Sequence, residues 1–429
     1  MLNKSIIIFI LSGWCLLSLT GQINTYSPYS RFGLGEIQKA GNIRSLSMGS
    51  TGLALRSDNQ INHLNPASFA GTDTLSFLFD FGMYGFHNLY SSEESSASLG
   101  NFNIHHFALA FPITRWWKAS AGVYPYSSVG YNIKEPVNLP AIGAVDFSYD
   151  GNGGLNKLYL GNSVELFNRL SLGFNMNYIF GYIYYAKKLD ILGDPTVAIP
   201  RTENRLVIGD IMYQFGLQYN QTIKEKYFLT LGAVFENKTK LQTTSHILSE
   251  LYFPGRSTTV NDSIILSSTY LINDEKSSGS ILYPQNFGLG ISMGIKDKLT
   301  LTGDFYLQDW SNSLIMGKSD SLINSSSIHA GIEYIPSSAS IRSYFGRVYY
   351  RFGGFLTNSY ISIRNEQIED YGMTFGVGLP LKNTKTTFNI GCVLGQRGTL
   401  QNELISERYG IVHVGVTLHD IWFRKRKYE

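Results

Sequence analysis

Residues Leu170 to Tyr182 read LSLGFNMNYIFGY, and every even position, Leu170, Leu172, Phe174, Met176, Tyr178, Phe180 and Tyr182, is apolar. The odd positions are mostly Ser, Gly and Asn. A period of two marks a strand with one apolar and one polar face, because successive side chains of a strand point to opposite sides. The stretch is also longer than the 5–6 residues or so of an average soluble strand. It exceeds the roughly 9–11 residues that a tilted strand needs to cross a bilayer.

The same alternation returns at Ile211–Tyr219 and Phe287–Met293. Fourteen such segments can be marked, at about 74–88, 99–113, 116–133, 141–167, 169–187, 204–222, 226–239, 284–296, 298–311, 326–336, 340–356, 370–381, 384–397 and 407–423. Connections after even-numbered segments are tight: 114–115, 168, 223–226, 297, 336–339 and 383–384. Those after odd-numbered segments include the long runs 188–203, 240–283 and 312–325. Short turns at one end, long loops at the other and an even strand count are the plan of an outer-membrane barrel. The expected fold is therefore an all-β, 14-stranded antiparallel barrel with both termini periplasmic. Asp150–Asn156 (DGNGGLN) could split the fourth segment, but that would put every later long loop on the short side, so Gly151, Gly153 and Gly154 are read as a bend within one strand.

Composition agrees. Only 16% of the 429 residues are charged, against about 25% in soluble domains, and 14% are aromatic. Trp116, Trp117, Tyr182–Tyr185, Trp310, Trp422 and Phe423 fall near strand ends, as in interfacial girdles. Lys4, the apolar run Ile6–Leu19 and small residues at Thr20-Gly21 predict an export signal over 1–21. Cys15 lies in that segment, leaving Cys392 alone and no disulfide to hold the fold. A net charge of +3, without a basic helix or zinc spacing, excludes nucleic acid as a partner. The remaining divisions are 22–73, a plug; 74–423, the barrel; and 424–429, a basic periplasmic tail.

If apolar positions face lipid, the other face carries Asp210, Glu236, Asp304, His329, Glu333, Arg347, Arg351 and His413 into the lumen. Arg or Lys facing lipid at the midplane would cost roughly 2–4 kcal/mol. Asp304, Glu333, Arg347 and Arg351, on adjoining strands, are expected to form a charge ladder that neutralises a filled lumen. No catalytic set is expected, since His329 and His413 lie on strands ten and fourteen. His105 and His106 suggest a bulge and not a metal site, because no third ligand is evident, and no cofactor is called for. Pro125 in SAGVYPYSSVGYNI cannot donate to a ladder, so it implies a bulge or a lateral gap in strand three.

Ser47–Gly71 (SMGSTGLALRSDNQINHLNPASFAG) resembles the N-terminal segment of the FadL-type outer-membrane transporters of long-chain fatty acids and aromatic hydrocarbons, where a glycine-rich stretch runs into Asn-Pro-Ala, here Asn65, Pro66 and Ala67. Gly151–Gly181 is similar to the family's strand-turn-strand stretch. The resemblance implies that 22–73 folds into the lumen as a hatch, with Leu64 and Phe69 as its apolar contacts. It also implies a strand-three kink at Pro125 through which a hydrophobic ligand leaves sideways. The opening run Tyr26–Gly41, the Ser/Thr-rich 240–283 and the basic tail depart from the family pattern. Two functions follow: passive, porin-like uptake of hydrophobic small molecules, or a non-transporting barrel that is a subunit of type IX secretion or barrel-assembly machinery. Outer-membrane lipids, the barrel-assembly machinery during biogenesis and other outer-membrane proteins are the expected partners.

Overall fold

A computed structural model describes residues 25–422 except 94, 141–142, 192–197, 254–257, 261–262, 266–267, 319–321, 341 and 383. The export signal and the basic tail lie outside the described residues. Fourteen strands form the wall: β1 (Ser76–Ser91), β2 (Ser96–Pro112), β3 (Trp117–Leu139), β4 (Gly143–Leu166), β5 (Leu170–Ile191), β6 (Ile199–Ile223), β7 (Tyr227–Glu236, continuing as Thr239–Phe253), β8 (Ser268–Tyr283, continuing as Asn286–Ile295), β9 (Leu299–Gln308), β10 (Ser325–Tyr334), β11 (Tyr349–Ile363), β12 (Glu366–Pro380), β13 (Thr387–Arg397) and β14 (Ser406–Ile421). Each pairs antiparallel with the next, and β14 closes on β1 from Ser406↔Ser91 to Ile421↔Ser76. Closure removes the free edges that a bilayer would leave unsatisfied.

The alternation acts as the sequence implies. Leu172, Tyr178 and Tyr182 of β5 are exposed outward, whereas Ser171, Asn175 and Asn177 are buried in the lumen. Tight turns on the side where β14 ends take positive φ at both central residues, as at Phe167-Asn168 and Lys224-Glu225, the mirror-image turn whose twist matches a hairpin. Trp422 stacks on Phe77 at this end, with ring centroids 4.2 Å apart.

Several boundaries differ from the sequence reading. Residues 188–203 and 240–283 are not open loops: β5 and β6 extend to Ile191 and from Ile199, and Thr239–Phe253 pairs with Ser268–Tyr283 as a long hairpin. Beyond the lipid band neither face need be apolar, so a Ser/Thr-rich strand loses the period by which it would be recognised. Conversely, β11 starts at Tyr349 and not at 340; the chain before it ends in a 3-10 turn, Phe345–Arg347. β4 runs unbroken through Gly151, Gly153 and Gly154, pairing β5 without a register shift. The irregularity lies in its neighbour, where Tyr126 of β3 is an extra residue between Pro125 and Ser127. His105 is the extra residue of a bulge in β2, opposite Gly82/Met83, which turns both His105 and His106 inward.

Candidate functional site: the occupied lumen

Residues 25–72 lie inside the barrel. Leu34, Met48, Leu53, Asn65 and Ala67 have no measurable exposure, and the segment touches strands around the whole circumference. Two wall glycines make the approach possible. A Cβ on Gly173 of β5 would stand 2.1 Å from the Ala67 nitrogen, and one on Gly232 of β7 would stand 2.1 Å from the Leu53 oxygen, so only glycine admits the backbone there.

Asn65, Pro66 and Ala67 form the corner closest to β5 and β6. The Asn65 side chain caps a 3-10 turn, Pro66–Gly71, by accepting from Ala67 N–H at 3.0 Å. Its Nδ2 donates to the Leu53 carbonyl (2.7 Å) and to that of Leu217 on β6 (3.2 Å). Pro66 sits at the first position of the turn, where its missing N–H costs nothing. Phe69 is buried and stacked on Tyr159 of β4, centroids 6.3 Å apart, in an apolar cluster with Ile61, Leu78 and Tyr124. Leu64 instead lines a cavity of about 240 Å³ that also meets Lys39, His63, Lys157 and Glu236.

The charges sort differently from the expected ladder. Glu333 and Arg351 pair across β10 and β11 at 2.7 Å, and their third member is Arg44 of the inner segment, 2.6 Å from Glu333. Asp304 has no ion-pair partner among the described residues; it accepts the backbone N–H groups of Gly52 (2.6 Å) and Leu53 (2.9 Å). Arg347 is not in the lumen set, because its 3-10 turn precedes β11 and its guanidinium lies 5.4 Å from the Tyr344 ring. Of the other inward charges, Asp210 accepts from the Gln242 N–H (2.9 Å), Glu236 meets Lys157 (3.5 Å), and His329 bonds the Gly49 carbonyl oxygen at 2.6 Å.

A second cluster was invisible in the sequence. Arg397 of β13 meets Glu36 (2.8 Å), Asp370 of β12 (3.3 Å) and Glu407 of β14 (3.5 Å). Lys39 reaches Asp370 (3.3 Å) and Tyr409 Oη (2.6 Å), and Ser27 donates to Glu407 at 2.5 Å. Asp370 and Arg397 are cross-strand partners on inward parity, the one signal that could have linked them; nothing marked Glu36 and Lys39 as their mates. Burial pulls the Lys39 ammonium down to about 8 against the opposing pull of Asp370. His63, buried beside His106 and Lys157, is lowered to about 3, chiefly by desolvation.

His106 contacts Asp80 (3.1 Å) and His105 (2.9 Å between Nδ1 atoms), and the His105 ring packs on His413. Among the described residues no group of three or more His, Cys, Asp or Glu is placed to hold a metal ion. His329 and His413 remain apart, each in its own setting of Tyr306 and Tyr84.

Around Pro125 the wall is interrupted. The β2–β3 ladder runs only from Pro112↔Lys118 to Phe107↔Val123, although both strands continue. Above it, from Tyr126 to Tyr131, β3 is buried on both faces and pairs instead with a two-residue strand of the inner segment, Glu36↔Ser128 and Ile37↔Ser127. Gln38 N–H donates to the Tyr126 carbonyl (2.9 Å), and Gly130 N–H donates to Ser30 Oγ (3.0 Å). The plug's backbone thus takes the place that β2 vacates.

Solved structures with the same fold include the Ralstonia pickettii toluene transporter TbuX (TM-score 0.59, 13% identity, covering 88% of this chain and 97% of that one). The Pseudomonas putida toluene transporter TodX (TM-score 0.57, 11%, 90% and 99%) and a Pseudomonas aeruginosa FadL homologue (TM-score 0.55, 11%, 89% and 99%) share it too. At such identities the likeness is one of fold: a 14-stranded outer-membrane barrel of the FadL type. No protein with a curated description matches the chain in sequence. The family described as BamG, however, matches residues 1–429, and the chain belongs to that BamG family.

Proposed function

We propose that this chain is a plugged barrel serving as a subunit of an outer-membrane assembly, the barrel-assembly machinery whose designation the family name BamG carries. One observation carries this reading: residues 27–56 are fastened to the wall by buried charge at both levels, Arg44 to Glu333 and Glu36/Lys39 to Arg397/Asp370. Removing one partner of a buried pair costs about 3–5 kcal/mol, so several such fastenings hold the segment shut on the timescale of ordinary solute flux. The C-terminal end of the wall then lies on the periplasmic side, where the turns are short, and residues 25–73 act as a permanent plug.

A second reading, passive uptake of hydrophobic small molecules such as long-chain fatty acids, draws on the fold shared with the toluene transporters and on the interrupted ladder beside Pro125. In that case the plug is a hatch and the cavity beside Leu64 is a resting place for ligand. Gentle detergent extraction, followed by mass spectrometry of bound lipids and associated proteins, separates the two. Stoichiometric protein partners with no enriched small molecule support the assembly subunit. A monomeric barrel carrying fatty acid or hydrocarbon overturns it in favour of uptake.

A further inference from the structure

At the end of the barrel opposite the C-terminal end of β14, the extended part of β8 has one partnered edge and one open edge. From Thr269 to Tyr283 it pairs with the extended part of β7. On the other edge the backbone bonds among described residues are confined to Ser280 and Leu282, which meet Met316 and Leu314. Along 269–279 the N–H and C=O groups of this edge thus have no backbone partner among the described residues, a ready template for another strand. Such edges are usually blunted by charge, and Asp274, Glu275 and Lys276 do this in the middle of the run. The outer part has no charge and carries Tyr270, Leu271 and Ile272 at 72%, 56% and 60% exposure, with a register shift between Leu271 and Asn273.

The inward side of this edge borders an open basin of about 780 Å³ at the barrel mouth, into which Glu275 and Ser277 project. Arg31, Lys187 and Lys318 also line it, and among the described residues none of these three cations is within 4 Å of a carboxylate. Arg31 lies 4.4 Å from the Tyr149 ring and Lys187 is 5.5 Å from the same ring, so the positive charges are spread over an aromatic floor. Among the described residues that line the basin, three cations stand against one carboxylate.

We propose that the β8 edge and the basin together receive an extended acidic segment of a partner protein, added to β8 as one more strand. Main-chain hydrogen bonds hold such a strand, and alternate side chains supply the specificity. Those turned inward meet Arg31, Lys187 and Lys318 and are acidic; those beside Tyr270, Leu271 and Ile272 are apolar. The inference rests on the chain being an assembly subunit, and deepens that reading by stating where and by what chemistry a partner is bound.

The test compares amide hydrogen exchange of the full chain, purified alone in detergent, with exchange of the same chain in its gently extracted native assembly. Alternate amides of 269–279, those facing the open edge, are expected to exchange at least tenfold more slowly in the assembly. The triple variant Arg31→Glu/Lys187→Glu/Lys318→Glu is expected to lower recovery of the assembly at least tenfold, while heat-modifiable gel mobility reports an intact barrel. As a second variant that spares the basin, Ile272→Asp is expected to do the same. An assembly that is recovered with unchanged exchange along 269–279 overturns this inference and leaves the subunit reading standing. A barrel extracted only as a monomer overturns both.

Discussion

Glu333→Ala tests whether the plug is fastened by charge. The carboxylate accepts from Arg44 Nε (3.0 Å) and Nη2 (2.6 Å) and from Arg351 Nε (2.7 Å). The three side chains are nearly sealed from water, at 12% exposure for Arg44, 4% for Glu333 and 0% for Arg351. Removing the carboxylate strands two guanidinium groups in the lumen; Arg351 keeps Asn389 (2.7 Å), so most of the relief available comes from freeing Arg44. A broken buried pair costs about 3–5 kcal/mol; taking the lower value, the released fraction of the segment rises by about two powers of ten at roughly 1.4 kcal/mol each. Trypsin cleavage after Arg56 in the folded, detergent-purified barrel reads that fraction, because a docked segment is inaccessible. Cleavage about 100-fold faster than in the unaltered protein is expected, with unchanged heat-modifiable mobility. The triple replacement Arg44→Met/Glu333→Met/Arg351→Met removes the charges together and is expected to return cleavage to near the original rate. A change below about fivefold in Glu333→Ala would show that packing alone holds the plug.

Gly173→Val places a branched side chain where Ala67 N now sits, 2.1 Å from a Cβ; the barrel is expected to fold with its segment displaced, seen as raised protease access and single-channel conductance. Docking also weakens in acid: His63 takes its proton at about 3 in the lumen but at about 6.5 when released, so between these values the released state binds more protons and stability falls as pH drops. Plug protection followed from pH 7 to 4 is expected to decline, and His63→Gln to flatten that decline. Lys385 meets Asp58 (2.6 Å) and Asp73 (3.1 Å) at the solvent-exposed end, and Lys385→Ala is expected to change urea stability by less than about 1 kcal/mol. Pro125→Val is expected to leave assembly recovery unchanged, while a lost uptake of fatty acid in the same variant would favour the transport reading.

The fold was legible because lipid imposes a strict rule. Wherever the wall crosses the apolar band its outer residues must be hydrophobic, and the period of two in Leu170–Tyr182 follows directly. Where that demand ends the signal ends too, so the Ser/Thr-rich hairpin 239–283 read as a loop and the Ser-rich approach to Arg347 read as strand. Inside, parity selected Glu333 and Arg351 but could not supply their third member. Arg44 lies 289 residues away from Glu333 along the chain and carries no local mark of its partner. Asp304 shows the same limit from the other side: its inward parity was readable, yet what it meets is backbone N–H, which every sequence offers equally.

The plug and the seam at Pro125 are one structure, and this constrains either function. Once β2 and β3 part above Phe107↔Val123, the edge of β3 away from β4 is paired, among the described residues, through Glu36, Ile37 and Gln38 and its bonds with Ser30. Withdrawing residues 28–39 would leave those backbone groups of β3 without partners, at about 1–3 kcal/mol for each that stays buried. It would also break the Arg397 cluster, because Glu36 and Lys39 leave with the strand. A ligand path through the seam therefore cannot open by moving the plug away as a rigid body. Any opening must occur on the β2 side, at the His105 bulge, where the plug is not hydrogen-bonded to the wall by a strand. In an assembly subunit the same coupling works as a safeguard, since the segment that fills the lumen is also the one that completes the wall.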